Sequence, residues 1–299
     1  MVTLAQSMAH YNNPINKGVA QDIIEVSDFL AMVPFQPIAG NAFVHKFEKD
    51  LGGAAYNEVG AVIPEAAKTV ATIDKITYEL VSVIAEATVD NFVQATGVAA
   101  GHDNVAYQIA SKAKRIGQLH NQALVAAAQV ENGLNSLDGL TISSQELDRA
   151  TQAVTLDGVR ELLDGVKSKG GAVDFMMGGR VMRRKLLQLA DAAGGNTAAY
   201  VTGGVMGSER KFLTIDGVLF LLNDHVDESA ALPLWAGNWD DGSKTIGLSM
   251  LYAAGSDAGL GVEAVGTSQT SDAKIFRVKQ YAQSALFNRK GLAKATFQK

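Results

Sequence analysis

The stretch FEKDLGGAAYNEVGAVIPE, Phe47 to Glu65, limits the possible folds of this chain more than any other. Strand-like alternation flanks it on both sides. Asn41–Lys49 (NAFVHKFEK) turns Phe43, His45 and Phe47 one way and Val44, Lys46 and Glu48 the other. Thr72–Leu80 (TIDKITYEL) sets Ile76, Tyr78 and Leu80 opposite Lys75, Thr77 and Glu79. Hairpin loops usually span about two to five residues, and this connection is longer, polar and glycine-rich. The pattern predicts an extended two-stranded ribbon over residues 41–80. Such a ribbon alone is at best marginally stable in water, and ordering its tip costs about 1–2 kcal/mol per residue. No segment of the chain is an evident partner, so another molecule is expected to cover it. The residues expected to make that contact are Lys49, Asp50, Gly52, Gly53, Tyr56, Glu58 and Val62.

Residues 1–40 hold apolar side chains without steady periodicity, and Pro14, Pro34 and Pro37 interrupt any long helix. One short helix fits, around Gln21 to Met32. Such a terminal segment is either an arm that reaches a neighbour or a segment folded back on its own domain. As an arm, it would use Ile23, Phe29 and Phe35 for contact.

Val81–Val93 reads as a strand end entering a helix. The longest helical pattern runs over residues 104–132, with Val105, Ile109, Ala113, Ile116, Ala123, Ala127 and Val130 at helical spacing. Asp103 or Asn104 can cap its start, Gly133 can end it, and Gly117 within it implies close packing. Ser143 and Glu146 have capping-box spacing, and Leu156, Val159, Leu162, Leu163 and Val166 predict a second amphipathic helix with Lys167 and Lys169 in its last turn and Gly170-Gly171 beyond; a third helix is expected at Arg180–Ala193, with a buried strand at Ala172–Met177 between them. Strands are expected at Phe212–Leu222, Thr245–Tyr252 and Lys274–Phe287, and a loop at Gly194–Gly204.

Little in the chain points to catalysis. There is no cysteine, which excludes disulfides, thiolate zinc sites and cysteine nucleophiles. A net charge of −5 argues against tight, sequence-independent nucleic-acid binding. The start lacks a secretory pattern and no apolar run is long enough to span a bilayer, so a soluble protein made in a reducing cytoplasm is expected. Gly52-Gly53 and Gly60 lack the ending of a phosphate loop. Gly178-Gly179 is better placed, between a strand and a helix that begins with Arg180, Arg183 and Arg184, and could receive an anion. NDHVDE (Asn223–Glu228) groups metal-ligand residue types but reads better as a polar strand exit. The five histidines are scattered, and no Ser/His/Asp arrangement emerges. No catalytic, cofactor or metal site is assigned, and the chain is read as a structural protein rather than an enzyme.

The order of these parts resembles the major capsid proteins of tailed phages with the Hong Kong 97-type fold. The arm precedes the ribbon NAFVHKFEKDLGGAAYNEVGAVIPEAAKTVATIDKITYEL; ITYELVSVIAEATVDNFV leads to NVAYQIASKAKRIGQLHNQALVAAAQ, similar to that family's long spine helix. AVDFMMGGRVMRRKLLQL, GVLFLLND and TIGLSMLYAAG resemble its axial domain, and KIFRVKQYAQSALFNRKGLAKATF its closing strands. The resemblance implies an α+β fold with an arm (1–40), an extended loop (41–80), a peripheral domain (81–142 and 274–299, with the spine helix at 104–132) and an axial domain (143–273). It implies self-assembly through hexamers and pentamers into an icosahedral shell around double-stranded DNA, in a virion capsid built in a bacterial host's cytoplasm. It also implies a separate scaffolding protein, a portal, possible decoration proteins and no cofactor. Some members cross-link through a loop lysine; Lys49 and Lys68 lie in or beside the loop, with no asparagine partner identified. The alternatives are an encapsulin-like nanocompartment shell and a soluble α/β anion-binding enzyme using the Gly178-Gly179 turn.

Overall fold

The computed structural model describes residues 15, 18–20, 22–23, 27–50, 52–58, 62–99, 103–127, 131–168, 172–192, 198–205, 208–255 and 257–299. In chain order, helix α1 (Asp28–Met32) precedes strands β1 (Phe35–Ile38), β2 (Ala42–Asp50), β3 (Thr72–Glu79) and β4 (Val81–Asp90). Helices α2 (Asn91–Ala99) and α3 (Asn104–Leu124) follow, then β5 (Glu146–Arg149), α4 (Leu156–Lys167), β6 (Phe175–Gly178) and α5 (Arg180–Ala192). Then come β7 (Ala198–Val205), β8 (Ser208–Ile215), β9 (Val218–Leu222), β10 (Ala231–Gly237), β11 (Leu248–Ala253), β12 (Leu260–Thr267), β13 (Ala273–Leu286) and β14 (Leu292–Gln298). Among the described residues no helix is long and apolar enough to cross a membrane.

The strands form a five-stranded sheet, a seven-stranded sheet and the two-stranded ribbon β2–β3. In the first sheet β13 is central. β4 runs antiparallel along one side of it, from Ala273↔Asp90 to Ala282↔Val81. β12 and β11 pair with successive stretches of β13, and β1 adds in parallel to β11. The amphipathic stripe of α3 covers this sheet, burying Ile109, Ala113, Ile116, Ala123 and Leu124. Asp103 caps the helix by accepting from the backbone N–H of Val105 at 3.0 Å and of Ala106 at 3.2 Å, a contact worth about 1 kcal/mol. A Cβ on Gly117 would lie 3.2 Å from the carbonyl oxygen of Ile23. This is the close approach that a glycine inside the helix implied.

The second sheet runs β5-β14-β10-β6-β9-β8-β7. Helix α4 packs on it through Val159, Leu162, Leu163 and Val166, and α5 through Met182 and Leu186. Aromatic rings close the contact between the two sheets. Phe175 of β6 stacks on Trp239 at 4.0 Å, while Phe29 of α1 meets their edges at 6.2 Å and 5.4 Å.

Several expectations are corrected. Residues 27–38 are built into the subunit, as β1 completes the first sheet and α1 fills its core. The long helix ends at Leu124, eight residues before the expected limit, although alanines follow it. Leu134 is buried and Asn135 is tied to β13 through Gln283 and Ser284, so the chain must turn there despite alanine's helix propensity. Gly194–Gly204 was expected as a loop, yet Ala198–Val205 is strand β7, paired residue by residue with β8; residues 193–197 lie outside the described set. Phe212–Leu222, expected as strand throughout, is a hairpin: the end of β8 and the whole of β9 pair antiparallel across a turn at Asp216 and Gly217, both at positive φ. Val81–Asp90 is a full ten-residue strand. Sheet membership also divides the chain differently from the cuts at 143 and 274. β11 and β12 belong to the first sheet because β13 needs partners along its whole length, and β14 returns to the second beside β10.

Candidate assembly interface

The ribbon is anchored at its base and open beyond it. Registers Ala42↔Glu79 to Glu48↔Ile73 place Phe43, His45 and Phe47 across from Tyr78, Ile76 and Asp74. Phe43 stacks on His45 and His45 on Phe47 at centroid distances of 6.4 and 6.5 Å. Phe287, just after β13, receives Phe43 at 5.8 Å and His45 at 5.3 Å. The Lys244 ammonium and the Arg289 guanidinium each lie 5.7 Å from a ring centre, over Phe43 and Phe47 respectively. Tyr78 is buried, and its hydroxyl donates to the Leu286 carbonyl at 2.6 Å. Burial raises the pKa of its phenol, opposed by that hydrogen bond.

Farther out, the ribbon loses its support. The register shifts between Glu48 and Asp50, a bulge that re-aims the strand end. Gly53 sits in the neck of the tip, where its N–H donates to the Thr69 carbonyl at 3.0 Å. A Cβ there would fall 1.7 Å from the Ala66 carbonyl oxygen, so only glycine fits this crossing. A short 3-10 turn, Glu65–Lys68, lies on the returning side and is closed by a Lys68–Glu65 ion pair. Tyr56 is fully exposed, Val62 is 87% exposed and Val70 is 85% exposed, and Ile63 and Ile73 are also exposed. Full burial of each such side chain stabilises by about 1.5–3 kcal/mol. Covering the five would yield on the order of 10 kcal/mol before ordering costs.

The loop residues singled out from sequence therefore lie along one projecting element. Lys49 and Asp50 end β2, Gly52 and Gly53 form the neck, and Tyr56, Glu58 and Val62 belong to the tip. The three arm residues do not join them. Ile23, Phe29 and Phe35 are 0%, 2% and 4% exposed within this subunit's own core, which corrects the expectation that they reach a neighbour. Sequence reasoning missed Ile63, Val70 and Ile73. Ile73 was legible, because the alternation puts it on the face opposite Ile76 and Tyr78.

The rival anion site is already filled from within the chain. The Glu228 carboxylate accepts from the N–H groups of Val181 and Met182, both at 2.8 Å, and caps α5 where an anion would have to bind. A Cβ on Gly179 would fall 2.3 Å from the Glu228 Cδ, so this glycine makes room for the cap. Arg180 grips Asp224 through two hydrogen bonds of 2.6 and 2.7 Å, which lowers the Asp224 pKa. Asp227 accepts from the Ser229 N–H at 2.9 Å. The acids of NDHVDE are thus occupied in structural roles, and among the described residues no cluster of three potential metal ligands forms. His10 and His102 lie outside the described residues. His120 is buried in the body with its Nε2 2.8 Å from Gln280 Oε1.

No family model matches this sequence, and no curated protein matches it. Solved structures do. The chain is similar to the holo-SrpI encapsulin complex from Synechococcus elongatus PCC 7942, with a TM-score of 0.70, 17% identity and coverage of 90% of this chain and 86% of that one. The capsid of a native GTA particle gives a TM-score of 0.66 at 12% identity, covering 91% and 90%. A chain from Microbacterium phage Oxtober96 gives 0.62 at 16% identity, also covering 91% and 90%. These likenesses establish the architecture: the chain has the mixed helix-and-sheet Hong Kong 97-type fold.

Proposed function

We propose that this chain is the major capsid protein of a tailed phage, a subunit that builds an icosahedral shell of hexamers and pentamers around double-stranded DNA. The observation that carries the reading is the ribbon, with an anchored base and an apolar tip that no part of the described chain covers. A neighbouring copy would supply the missing surface, with Lys49, Asp50, Gly52, Gly53, Tyr56, Glu58 and Val62 at or beside the contact. The shell proteins with which it shares its fold make a structural role more fitting than an enzymatic one, and the Glu228 cap weakens the anion-binding alternative. The reading brings a separate scaffolding protein, a portal and possible decoration proteins as partners, and assembly in a bacterial cytoplasm. The ribbon would span adjacent subunits within a capsomer.

The likeness to an encapsulin favours a second reading in the same fold, a cellular nanocompartment shell. The contents of the particle distinguish the two: nucleic acid for the first, protein cargo for the second. The shared part of both readings is tested by deleting Asp50–Pro64. The expected product is a folded body that elutes as single subunits or small oligomers, while the intact chain forms capsomers or shells visible by negative-stain microscopy. Shells at normal yield from the deleted chain overturn the ribbon's role.

A further inference from the structure

Across its 21 residues α3 (NVAYQIASKAKRIGQLHNQAL) contains Lys112, Lys114 and Arg115 and no acidic residue, in a chain of net charge −5. The helix buries Ile109, Ala113, Ile116 and His120 against the first sheet. Its opposite face therefore presents Tyr107, Ser111, Arg115 and Gln122, all exposed, with Lys112 and Gln118 half-buried at its borders. The neighbouring α2 (NFVQATGVA) has no charged residue at all. Among the described residues three carboxylates adjoin this face, and Glu131 shares a cavity with Leu119 and Gln122 at its C-terminal end. Asp103 is engaged in capping the helix and in accepting from Gln94 Nε2 at 3.0 Å, and Asp22 lies 3.5 Å from Lys114 at one flank. Among the described residues no carboxylate forms an ion pair with Lys112 or Arg115. Arg115 Nη1 donates to the neutral Gln118 Oε1 at 3.3 Å.

We infer that this acid-free face of α3 is the surface turned toward packaged double-stranded nucleic acid, with Lys112 and Arg115 on its phosphates; the inference rests on the capsid reading above. From Asn104 to Gln122 the face is about 27 Å long at 1.5 Å per residue. That matches roughly eight base-pair steps of 3.4 Å each. The hydroxyl of Ser111 and the amides of Gln118 and Gln122 flank the cations, with Leu119 exposed beside them, and can donate to phosphate oxygens without reading sequence. Only two or three cations per subunit give weak binding, which many copies on one inner surface multiply. A container that must both hold and release DNA needs this combination of weak single contacts and many copies.

The test compares the intact chain with a Lys112→Gln/Arg115→Gln double variant, and with Arg184→Gln on exposed α5 as the control. Binding of the unassembled chain to a short DNA duplex is followed by fluorescence anisotropy from roughly 50 to 200 mM salt. The expected result is a slope of log affinity against log salt that is smaller by about 2 in the double variant and unchanged in the control. Equal slopes, or no duplex binding by the intact chain, overturn the inference. Thermal melts check folding, and Lys112→Glu/Arg115→Glu should weaken binding further if the effect is electrostatic. Microscopy of the same preparations keeps the two ideas apart. Normal shells with unchanged slopes remove the DNA face and leave the shell reading standing, whereas an intact chain that never assembles removes the shell reading. Purified particles that contain protein cargo and no nucleic acid also count against the DNA face.

Discussion

Two segments of this chain were expected to reach outward, and among the described residues one is buried and the other exposed. The segment with Phe29 and Phe35 and the ribbon with Tyr56 and Val62 both carry large apolar side chains on irregular or extended backbone. In the first, β1 finds a ladder on β11 and the aromatic rings find Phe175, Trp239 and Tyr252. In the second, β2 and β3 form a two-stranded ladder of their own, and past Phe47 no described part of the body packs on them. Extended apolar sequence thus becomes interior when a sheet edge of its own chain is free to receive it. It is left exposed when that edge is missing.

The largest effect that tests this contrast is on Phe29. Phe29→Ala should destabilise the isolated chain by about 3–5 kcal/mol, the usual cost of emptying a buried aromatic site. Chemical denaturation of unassembled chain measures it. A loss under about 1 kcal/mol, accompanied by failed assembly, would return Phe29 to the outside and erase the distinction.

A second effect belongs to the body alone. Burial holds the His120 imidazole neutral and pushes its pKa down to about 4 from the ordinary 6.5, with the Gln280 bond opposing the shift. Because the folded value is the lower one, this contribution to stability is complete above pH 6.5 and declines as pH falls through 4. The decline amounts to on the order of 3 kcal/mol. Denaturation midpoints between these pH values should fall for the intact chain and follow a flatter course for His120→Gln. The deletion of Asp50–Pro64 should leave the pH profile as it is, since the ribbon tip takes no part. Matching profiles for His120→Gln and the intact chain would show that another group controls acid stability.

The ribbon gives the complementary result. Val62→Asp with Ile63→Asp should change the unfolding of the isolated chain by less than about 0.5 kcal/mol, as expected for exposed positions. The same pair should raise the concentration needed for assembly at least roughly tenfold, since each burial is worth about 1.5–3 kcal/mol. Light scattering across a concentration series reads the threshold. An unchanged threshold would mean that the tip contacts nothing, and the contrast between the segments would lose its functional meaning.

What could be read from sequence follows the same division. The ribbon, α4, α5 and most of β13 were legible because each shows its own period and local stop signals: alternation at Phe43, His45 and Phe47, and Leu156, Val159, Leu163 and Val166 at helical spacing. The end of α3, the strand at Ala198–Val205 and the placement of β11, β12 and β14 were not. They depend on distant partners such as Ser284 and Gln283 for Asn135 or β8 for β7, and local propensity carries no information about those. The candidate interface was legible for the loop because a missing partner leaves its mark in the sequence as unsatisfied pattern. For the N-terminal segment the partner exists, but β11 lies more than 200 residues away.

The smallest expected effect is the sharpest test, because sterics and stability point in opposite directions. A Cβ on Gly53 would collide at 1.7 Å with a carbonyl oxygen, whereas a Cβ on Gly117 would approach one only to 3.2 Å. Local geometry alone ranks Gly53→Ala as the more damaging change. The difference between the regions reverses that order. Around Gly117 the core cannot yield without moving Ile23, so Gly117→Ala should cost about 1–3 kcal/mol. Around Gly53 the tip can rearrange into solvent, since nothing in the described body is packed on its outer residues, and Gly53→Ala should leave unfolding within about 0.5 kcal/mol of the intact chain. Paired denaturation curves decide it. If Gly53→Ala is as destabilising as Gly117→Ala, the tip is energetically part of the subunit, and a neighbouring copy is no longer needed to account for its order.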